Sequence, residues 1–504
     1  MYKALFFDMD GTLLDSDHLV MMIYLHLTQT FEPDTPLSSI PKNDLFAKSY
    51  LEIIHLLYRQ PKPDYINHIY ALHASLKEAN LKLFPHVKEM LLSLKRYPIY
   101  LFLVTSELKD IAKDELSLMS IDDLFDDIIT ASDLTHQKPH PEGLLTLLNR
   151  YHLSPDDCLF IGDQKSDAMA GKNAKMKTAM MGFNALNVER FGHEFDVVFE
   201  DFQSLMTHIE TKMGKLTVKV AKDSVSIMQL TDLHLMDEPS DEDTFQGIKR
   251  AVFYLKPDMI VLTGDQTMSE HSVKLYQTLV SFMDSFERPW TLIFGNHDTD
   301  HGISYPSLIQ ALRGSKHLLF NPGPASLGYS NFVIDLKNQN DQIIKKLIFM
   351  DTHVDQFYPI GNEMKWGYGS ISREQIHWYE HMIQFHPFVQ SFVFLHIPIP
   401  EYHFDSSASY QGVCLEKPST PPYDSGFFQV LTKHHHTEIV FAGHDHYNDY
   451  LIEKEGIKLA YGRVSGHYDY GPKDFPKGIR MITIQDDGSF DTNIFLYQDI
   501  KDTI

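Results

Sequence analysis

Cysteine is scarce in this 504-residue sequence: it has two, Cys158 and Cys414. Two distant thiols cannot form a disulfide framework, so a small stapled fold is excluded and free thiols in a reducing compartment are expected. Basic charge is also short. Lys and Arg number 44 against 68 Asp and Glu, for a net charge of −24. Such a surface repels nucleic-acid backbones and anionic lipid, and neither is an expected partner. No apolar run approaches the ~20 residues that span a bilayer. Met1-Tyr2-Lys3 leads straight into an apolar strand, with no secretory leader in view. A cytoplasmic protein is the expectation. Internal repeats and low-complexity tracts are absent as well, which leaves an ordinary globular chain too long for one core.

What is present is an alternation of strand and helix signals. YKALFF (2–7), IYLFLVTS (99–106), DIITAS (127–132), DCLFIGD (157–163) and TAMMGF (178–183) are short apolar runs separated by helical spacing. They predict a parallel α/β sheet. Residues 18–80 have helical spacing and read as a helical insert, its aliphatic and aromatic positions serving as its own core. Residues 196–214 read as a last strand, a closing helix and a stop at Gly214. LTVKVA (216–221), Lys222-Asp223 and SVSIMQLTD (224–232) then read as a hairpin that opens a second domain. The expected domains are 1–214, with a helical cap at about 16–82, and 215–504. Later strands are expected at 258–265, 290–298, 346–353, 391–398 and 437–446. The stretches 301–340 and 399–424 read as long loops.

Each strand ends in chemistry-bearing residues. Asp8 and Asp10 stand two apart at the first strand end, so one carboxylate can attack phosphorus while the other handles the leaving-group proton. Thr105-Ser106 offers donors, Lys138 a point charge, and Asp163 and Asp167 hard oxygen ligands suited to Mg²⁺. In order across residues 1–212, these motifs resemble those of the haloacid-dehalogenase-like hydrolases, phosphatase branch. The resemblance implies a Rossmann-like domain with a helical cap. It implies Asp8 as nucleophile through an aspartyl-phosphate, Asp10 as general acid and then base, and Thr105 and Lys138 as phosphate holders. It places Mg²⁺ on Asp8, Asp163 and the carbonyl of Asp10, supported by Asp167.

The second half carries Asp232-Leu233-His234, Gly264-Asp265, Gly295-Asn296-His297-Asp298, His396 and Gly443-His444-Asp445-His446. Mixed nitrogen and oxygen ligands suit Mn²⁺, Fe or Zn²⁺. A metal pair can clamp a phosphate and turn bound water into hydroxide. The set resembles the calcineurin-like metallophosphoesterases over about 223–500, in the purple-acid-phosphatase-related branch, and implies an α/β/β/α sandwich. The resemblance places one metal on Asp232, His234, Asp265 and His446. It places a second on Asp265, Asn296, His396 and His444, with Asp265 shared. His297 would protonate the leaving group, oriented by Asp298. Met268 stands where purple enzymes carry a tyrosine, which argues against a purple chromophore.

Among the 28 histidines, His353, His381, His386 and His467 read as structural, with His353 and His467 also candidates to line the pocket, and His434-His435-His436 reads as an exposed helix end or turn before a strand. Tyr358, Trp366 and Tyr368 read as loop packing. The expected function is bifunctional phosphoester hydrolysis on small phosphorylated metabolites. The alternatives are one catalytic domain carrying a regulatory module, or an N-terminal phosphomutase or pyrophosphatase, because fold and motif fix the chemistry but not the leaving group.

Overall fold

The computed structural model describes all residues except 1, 42–44, 46–49, 215, 221–223, 362, 385–387, 406–408, 469, 471–473 and 502–504. The chain divides into two compact units, Met1–Lys212 and Met213–Ile504. That division falls inside the helix Phe202–Gly214. No described helix is long and apolar enough to cross a membrane.

The first unit is built on a six-stranded sheet. Its order is Asp127–Ile129, Tyr100–Val104, Ala4–Phe7, Cys158–Gly162, Lys177–Met181 and Val197–Phe199. Every pairing is parallel. The three central strands are buried almost throughout, which is why they read as unbroken apolar runs rather than alternating ones. The chain order reverses at Ala4–Phe7, so the crevice at its carboxyl end lies at a topological switch point. The insert is helical, as its spacing predicts: Asp17–Thr30, Tyr50–Leu57 and Pro63–Asn80. Leu19, Ile23 and Leu27 repeat every four residues and are buried, so the apolar stripe is the insert's own core. A two-stranded ribbon, Leu14–Asp15 with Lys82–Leu83, joins the insert to the sheet.

The second unit contains two larger sheets. One has the order Trp290–Ile293, Met259–Thr263, Ser224–Leu230, Gly478–Gln485 and Phe490–Leu496. The other has the order Leu451–Lys454, Ile457–Tyr461, Thr437–Ala442, Ser391–Phe394, Ile343–Phe349, Phe332–Lys337 and Leu216–Lys219. Successive residues of Ser391–Phe394 point to opposite faces. Val393 joins a cluster with the helices Arg373–Gln384 and Phe427–His434. Phe392 instead meets Phe490 of the first sheet, with ring centroids 4.7 Å apart. The sheets therefore pack face to face with helices outside, as the sandwich requires.

Two expectations fail here. The strands Leu216–Lys219 and Ser224–Leu230 do not form a hairpin. The former pairs in parallel with Phe332–Lys337, the latter with Met259–Thr263 and Gly478–Gln485 in the other sheet. Their alternation is real, but the partners are long-range. Lys222 and Asp223 lie outside the described residues. The stretch 301–340 is more than a loop, because it holds the helix Tyr305–Ala311 and the strand Phe332–Lys337. The signals were local: Ser304 caps the helix by accepting from the Ser307 N–H, and FVIDLK alternates buried and half-buried positions.

Candidate functional sites

Asp8, Asp163 and Asp167 end up buried together, each offering a carboxylate oxygen within 4.8 Å of the others. Asp8 and Asp163 follow the ends of adjacent parallel strands. Asp167 lies in the first turn of the helix Lys165–Asn173, where its Oδ2 accepts from the Gln164 N–H at 2.9 Å. The Lys138 ammonium reaches Asp8 Oδ1 at 2.6 Å and Asp167 Oδ1 at 2.7 Å. Three carboxylates against one ammonium leave the site short of positive charge. Burial, and then the neighbouring Asp167, push Asp8 up to about 7 despite Lys138. Asp163 is raised well above its ordinary value by burial, Asp167 and Asp8. Burial would lower Lys138, but Asp167 and Asp8 outweigh it and raise it. Asp163 Oδ1 has no hydrogen-bond partner. An unpartnered carboxylate oxygen in an anionic crevice fits a hard divalent cation.

Asp10 is held differently. Burial and the carboxylate of Glu115 push it up to about 7, while Ser16, His73 and Lys138 pull the other way. It therefore carries a proton far more readily than an ordinary carboxyl. Thr105 is buried directly after the strand Tyr100–Val104, where its hydroxyl accepts from the Glu107 N–H at 3.0 Å.

Seven second-unit residues converge in the same manner. Asp232, His234 and His446 form one buried group of possible ligands, and Asp265, His396 and His444 another. His234 Nε2 and His446 Nε2 face each other at 3.1 Å, and His446 Nε2 lies 3.6 Å from Asp232 Oδ1. A single oxygen, Asp265 Oδ2, lies 3.6 Å from His234 Nε2 and 3.2 Å from His396 Nε2. Asn296 Oδ1 is 3.0 Å from His396 Nε2. His396 Nδ1 meets the Thr263 carbonyl at 2.9 Å, a bond that turns Nε2 inward. Burial lowers His234 to about 4 and His444 to about 3, so both are neutral imidazoles with a free lone pair. His234 Nδ1, His444 Nε2 and His446 Nδ1 are buried without partners. This donor set fits two borderline transition-metal ions.

The backbone is strained at these positions. Asp232, His234, Asp265 and His444 all have positive φ, between 45° and 77°. Each costs on the order of 1–3 kcal/mol, and such strain clusters at functional sites.

Two family models match the chain. Haloacid dehalogenase-like hydrolase matches residues 5–181, and Calcineurin-like phosphoesterase matches residues 225–448. An Arabidopsis thaliana protein named "Probable inactive purple acid phosphatase 14" is 30% identical over 278 residues, 49% of this chain and 68% of the relative. "Pyrophosphatase PpaX" from Bacillus cereus (strain Q1) is 31% identical over 191 residues, 36% of this chain and 83% of the relative. The chain belongs to both families, one in each half. It is a hydrolase of phosphoric ester bonds.

Within the calcineurin-like half, one expected contact is absent. Asp298 does not orient His297. Its carboxylate accepts from the N–H groups of Asp265 (3.1 Å), Thr267 (3.1 Å) and Gly295 (2.8 Å). The partner of His297 Nδ1 is Asp300 Oδ2, at 2.8 Å. The tight loop turns the Asp298 side chain back beneath Asp265. The aromatic residues also divide. Tyr358 is buried and donates to the Tyr368 carbonyl at 2.7 Å, while Trp366 is 56% exposed and sets its ring 5.7 Å from that of Tyr368. His353 pairs with Gln375, and His434, in the last turn of the helix Phe427–His434, pairs with Glu380. His386 lies outside the described residues.

Sequence reasoning missed the supports. Asn187 and Gln164 hold Asp163 Oδ2 at 3.0 and 2.8 Å. Tyr470 stacks on His446 with centroids 4.3 Å apart, and Tyr368 sets its edge on His444 at 4.5 Å. Gln164 lies inside the Gly162–Asp167 run, directly after Asp163, whereas Asn187, Tyr368 and Tyr470 reach their partners only through the fold.

Glycine is required at one approach. Gly264 has φ +93°, and a Cβ there would lie 2.2 Å from His396 Nδ1. Gly264→Ala is expected to displace His396 and empty at least one ion from the calcineurin-like half. Elemental analysis checks this, and wild-type metal content in the variant would contradict it.

Proposed function

We propose that both halves are catalytic and act on small phosphorylated metabolites. The observation that carries this reading is the set of buried ligand groups with unpartnered donor atoms, one in the first unit and two in the second.

In the N-terminal unit, the Asp8 carboxylate attacks phosphorus and the phosphorus–oxygen bond to the leaving group breaks, giving an aspartyl-phosphate. Asp10 gives its proton to the leaving oxygen, then takes one from the water that hydrolyses the intermediate. Lys138 and Thr105 hold the phosphoryl oxygens. Asp8, Asp163, Asp167 and the Asp10 carbonyl would hold Mg²⁺, which when bound supplies the missing positive charge. Pyrophosphate is a second candidate substrate, favoured by the likeness to a protein named a pyrophosphatase.

In the C-terminal unit, Asp232, His234, Asp265 and His446 would hold one ion, and Asp265, Asn296, His396 and His444 the second. Mn²⁺, Fe or Zn²⁺ bound there would activate water and cancel charge on the phosphate. His297 donates the proton to the leaving oxygen, with its ring held by Asp300. Burial lowers His297, but Asp265 and Asp300 outweigh it and raise it, which favours a proton donor. A plant relative of this half is named inactive; this chain keeps every ligand type of the set.

The two units are proposed to be separately folding domains, 1–214 and 215–504. The two free thiols suit a reducing, cytoplasmic setting. His297→Ala is expected to keep both ions while its C-terminal turnover falls by about 10²–10⁴, typical of a lost general acid. Measuring metal content and rate on the same sample tests the assignment, which loss of metal would overturn. A phosphometabolite panel on the full chain, on Asp8→Asn and on Asp265→Asn tests the bifunctional reading: one substrate class should vanish in each variant.

A further inference from the structure

A fourth group of possible metal ligands lies outside both buried clusters: His136, His140 and Glu142. It flanks Lys138 on the loop that precedes the helix Glu142–Arg150. The carboxylate is already fixed. Glu142 Oε1 accepts from the Thr135 N–H and Oε2 from the His136 N–H, both at 2.9 Å. His136 Nδ1 lies 3.0 Å and His140 Nδ1 3.9 Å from that same Oε2. The imidazole rings lie side by side, with centroids 4.6 Å apart. One ligand atom from each residue lies within 4.8 Å of the others.

We propose that His136, His140 and Glu142 form a surface site for a borderline transition-metal ion of the Zn²⁺, Ni²⁺ or Cu²⁺ class, which braces the loop carrying Lys138. Two imidazoles and one carboxylate are the ligand types such ions favour, and three ligands leave a position open to water. Mg²⁺ is not the ion, because it prefers oxygen ligands in an octahedron. Tetrahedral bonds of about 2.0–2.1 Å place ligand atoms roughly 3.3 Å apart. The His136–Glu142 pair is already near that spacing, and the ion would replace the proton between Nδ1 and Oε2. The other pairs must close by at most ~1.5 Å, a movement open to imidazoles that are 62% and 51% exposed. The ligands span only seven residues, so little chain entropy opposes closure. Lys138 sits midway between the two histidines, and its ammonium grips Asp8 and Asp167. An ion on this loop therefore restrains the segment that positions a buried charge. The site does not depend on the phosphatase reading.

The probe is Zn²⁺ alone, added to the full chain after incubation with Mg²⁺ and Mn²⁺. Wild type is compared with the H136N/H140N double variant, whose changes fall on side chains that are 62% and 51% exposed. The variant is expected to retain one Zn²⁺ fewer per chain. Zn²⁺ is also expected to slow amide exchange across 134–142 by about tenfold or more in wild type and not in the variant. Equal zinc stoichiometry in the two proteins would overturn the site. Unchanged exchange in wild type at full occupancy would overturn the bracing role.

Discussion

Asp8→Asn is expected to abolish the Mg²⁺-dependent activity of the N-terminal unit, by roughly 10³-fold or more, the scale seen when a covalent nucleophile is removed. A neutral amide cannot form the aspartyl-phosphate. It also removes one negative charge beside Lys138, whose ammonium lies 2.6 Å from Asp8 Oδ1. The metal-free fold should respond in the opposite direction. Burial and Asp167 raise the Asp8 pKa to about 7, above its ordinary 3.8. A carboxyl raised on folding destabilises the native state once the pH exceeds its unfolded value, because the native site resists the charge that the unfolded chain accepts. Asn carries no such charge. The chelator-treated variant is therefore expected to melt about 2–4 °C higher at neutral pH, the shift that ~1 kcal/mol produces in a unit of this size. Hydrolysis rates and a thermal melt on the same preparation test both halves. Retained Mg²⁺-dependent turnover would sink the nucleophile assignment, and a lower melting temperature would sink the account of charge crowding.

Asp265→Asn should be the most damaging single change in the C-terminal unit. One oxygen of Asp265 faces both ligand groups, so it alone is placed to sit between two cations that repel each other. Both ions should be lost and turnover should fall by about 10³-fold or more. The His446 side chain belongs to one group only, so His446→Ala should mainly empty one position. Here the apo fold should weaken. Burial would raise Asp265, but His396 and His234 outweigh it and hold it well below its ordinary value. A depressed carboxyl contributes stability above its unfolded pKa, and that contribution disappears as the pH falls through the folded value. The chelator-treated variant should therefore melt below wild type at neutral pH, opposite in sign to Asp8→Asn. The N-terminal activity should be unchanged. Full metal occupancy in Asp265→Asn would remove the shared-ligand role, and an equal fall in N-terminal activity would point to one composite site.

These opposite signs have a simple origin. The Asp8 cluster gathers three carboxylates around one ammonium, whereas Asp265 lies among imidazoles. The first site lacks positive charge, and the second holds neutral or protonated nitrogen donors ready to share a cation. Composition alone, with its excess of acidic residues, does not distinguish the two; the side-chain neighbours do.

The strands and their terminal motifs were legible because both obey local rules. A parallel strand buried on both faces must be apolar throughout, as in ALFF and YLFLV, so the first polar residue after it marks a carboxyl end. Asp8, Thr105, Asp163 and Asp265 all follow such runs. What stayed hidden depends on long-range geometry. Alternation in Leu216–Lys219 and Ser224–Leu230 reveals two strands, but strand partners are set by the whole sheet, and these two joined different sheets. The GNHD run places Asp298 beside His297 in sequence, yet the turn buries Asp298 under three backbone N–H groups and leaves His297 to Asp300.

The sequence by itself determined the fold class, the two families and the residue types of each cluster, because hydrophobic period and motif spacing are properties of neighbouring residues. The tertiary structure alone decided which atoms meet: the Lys138 ammonium between Asp8 and Asp167, a single Asp265 oxygen facing two imidazole groups, and Asn187 holding Asp163. Those meetings join residues 24 to 131 positions apart. No local propensity can specify them, since they follow from how twisted sheets bring strand ends and loops together.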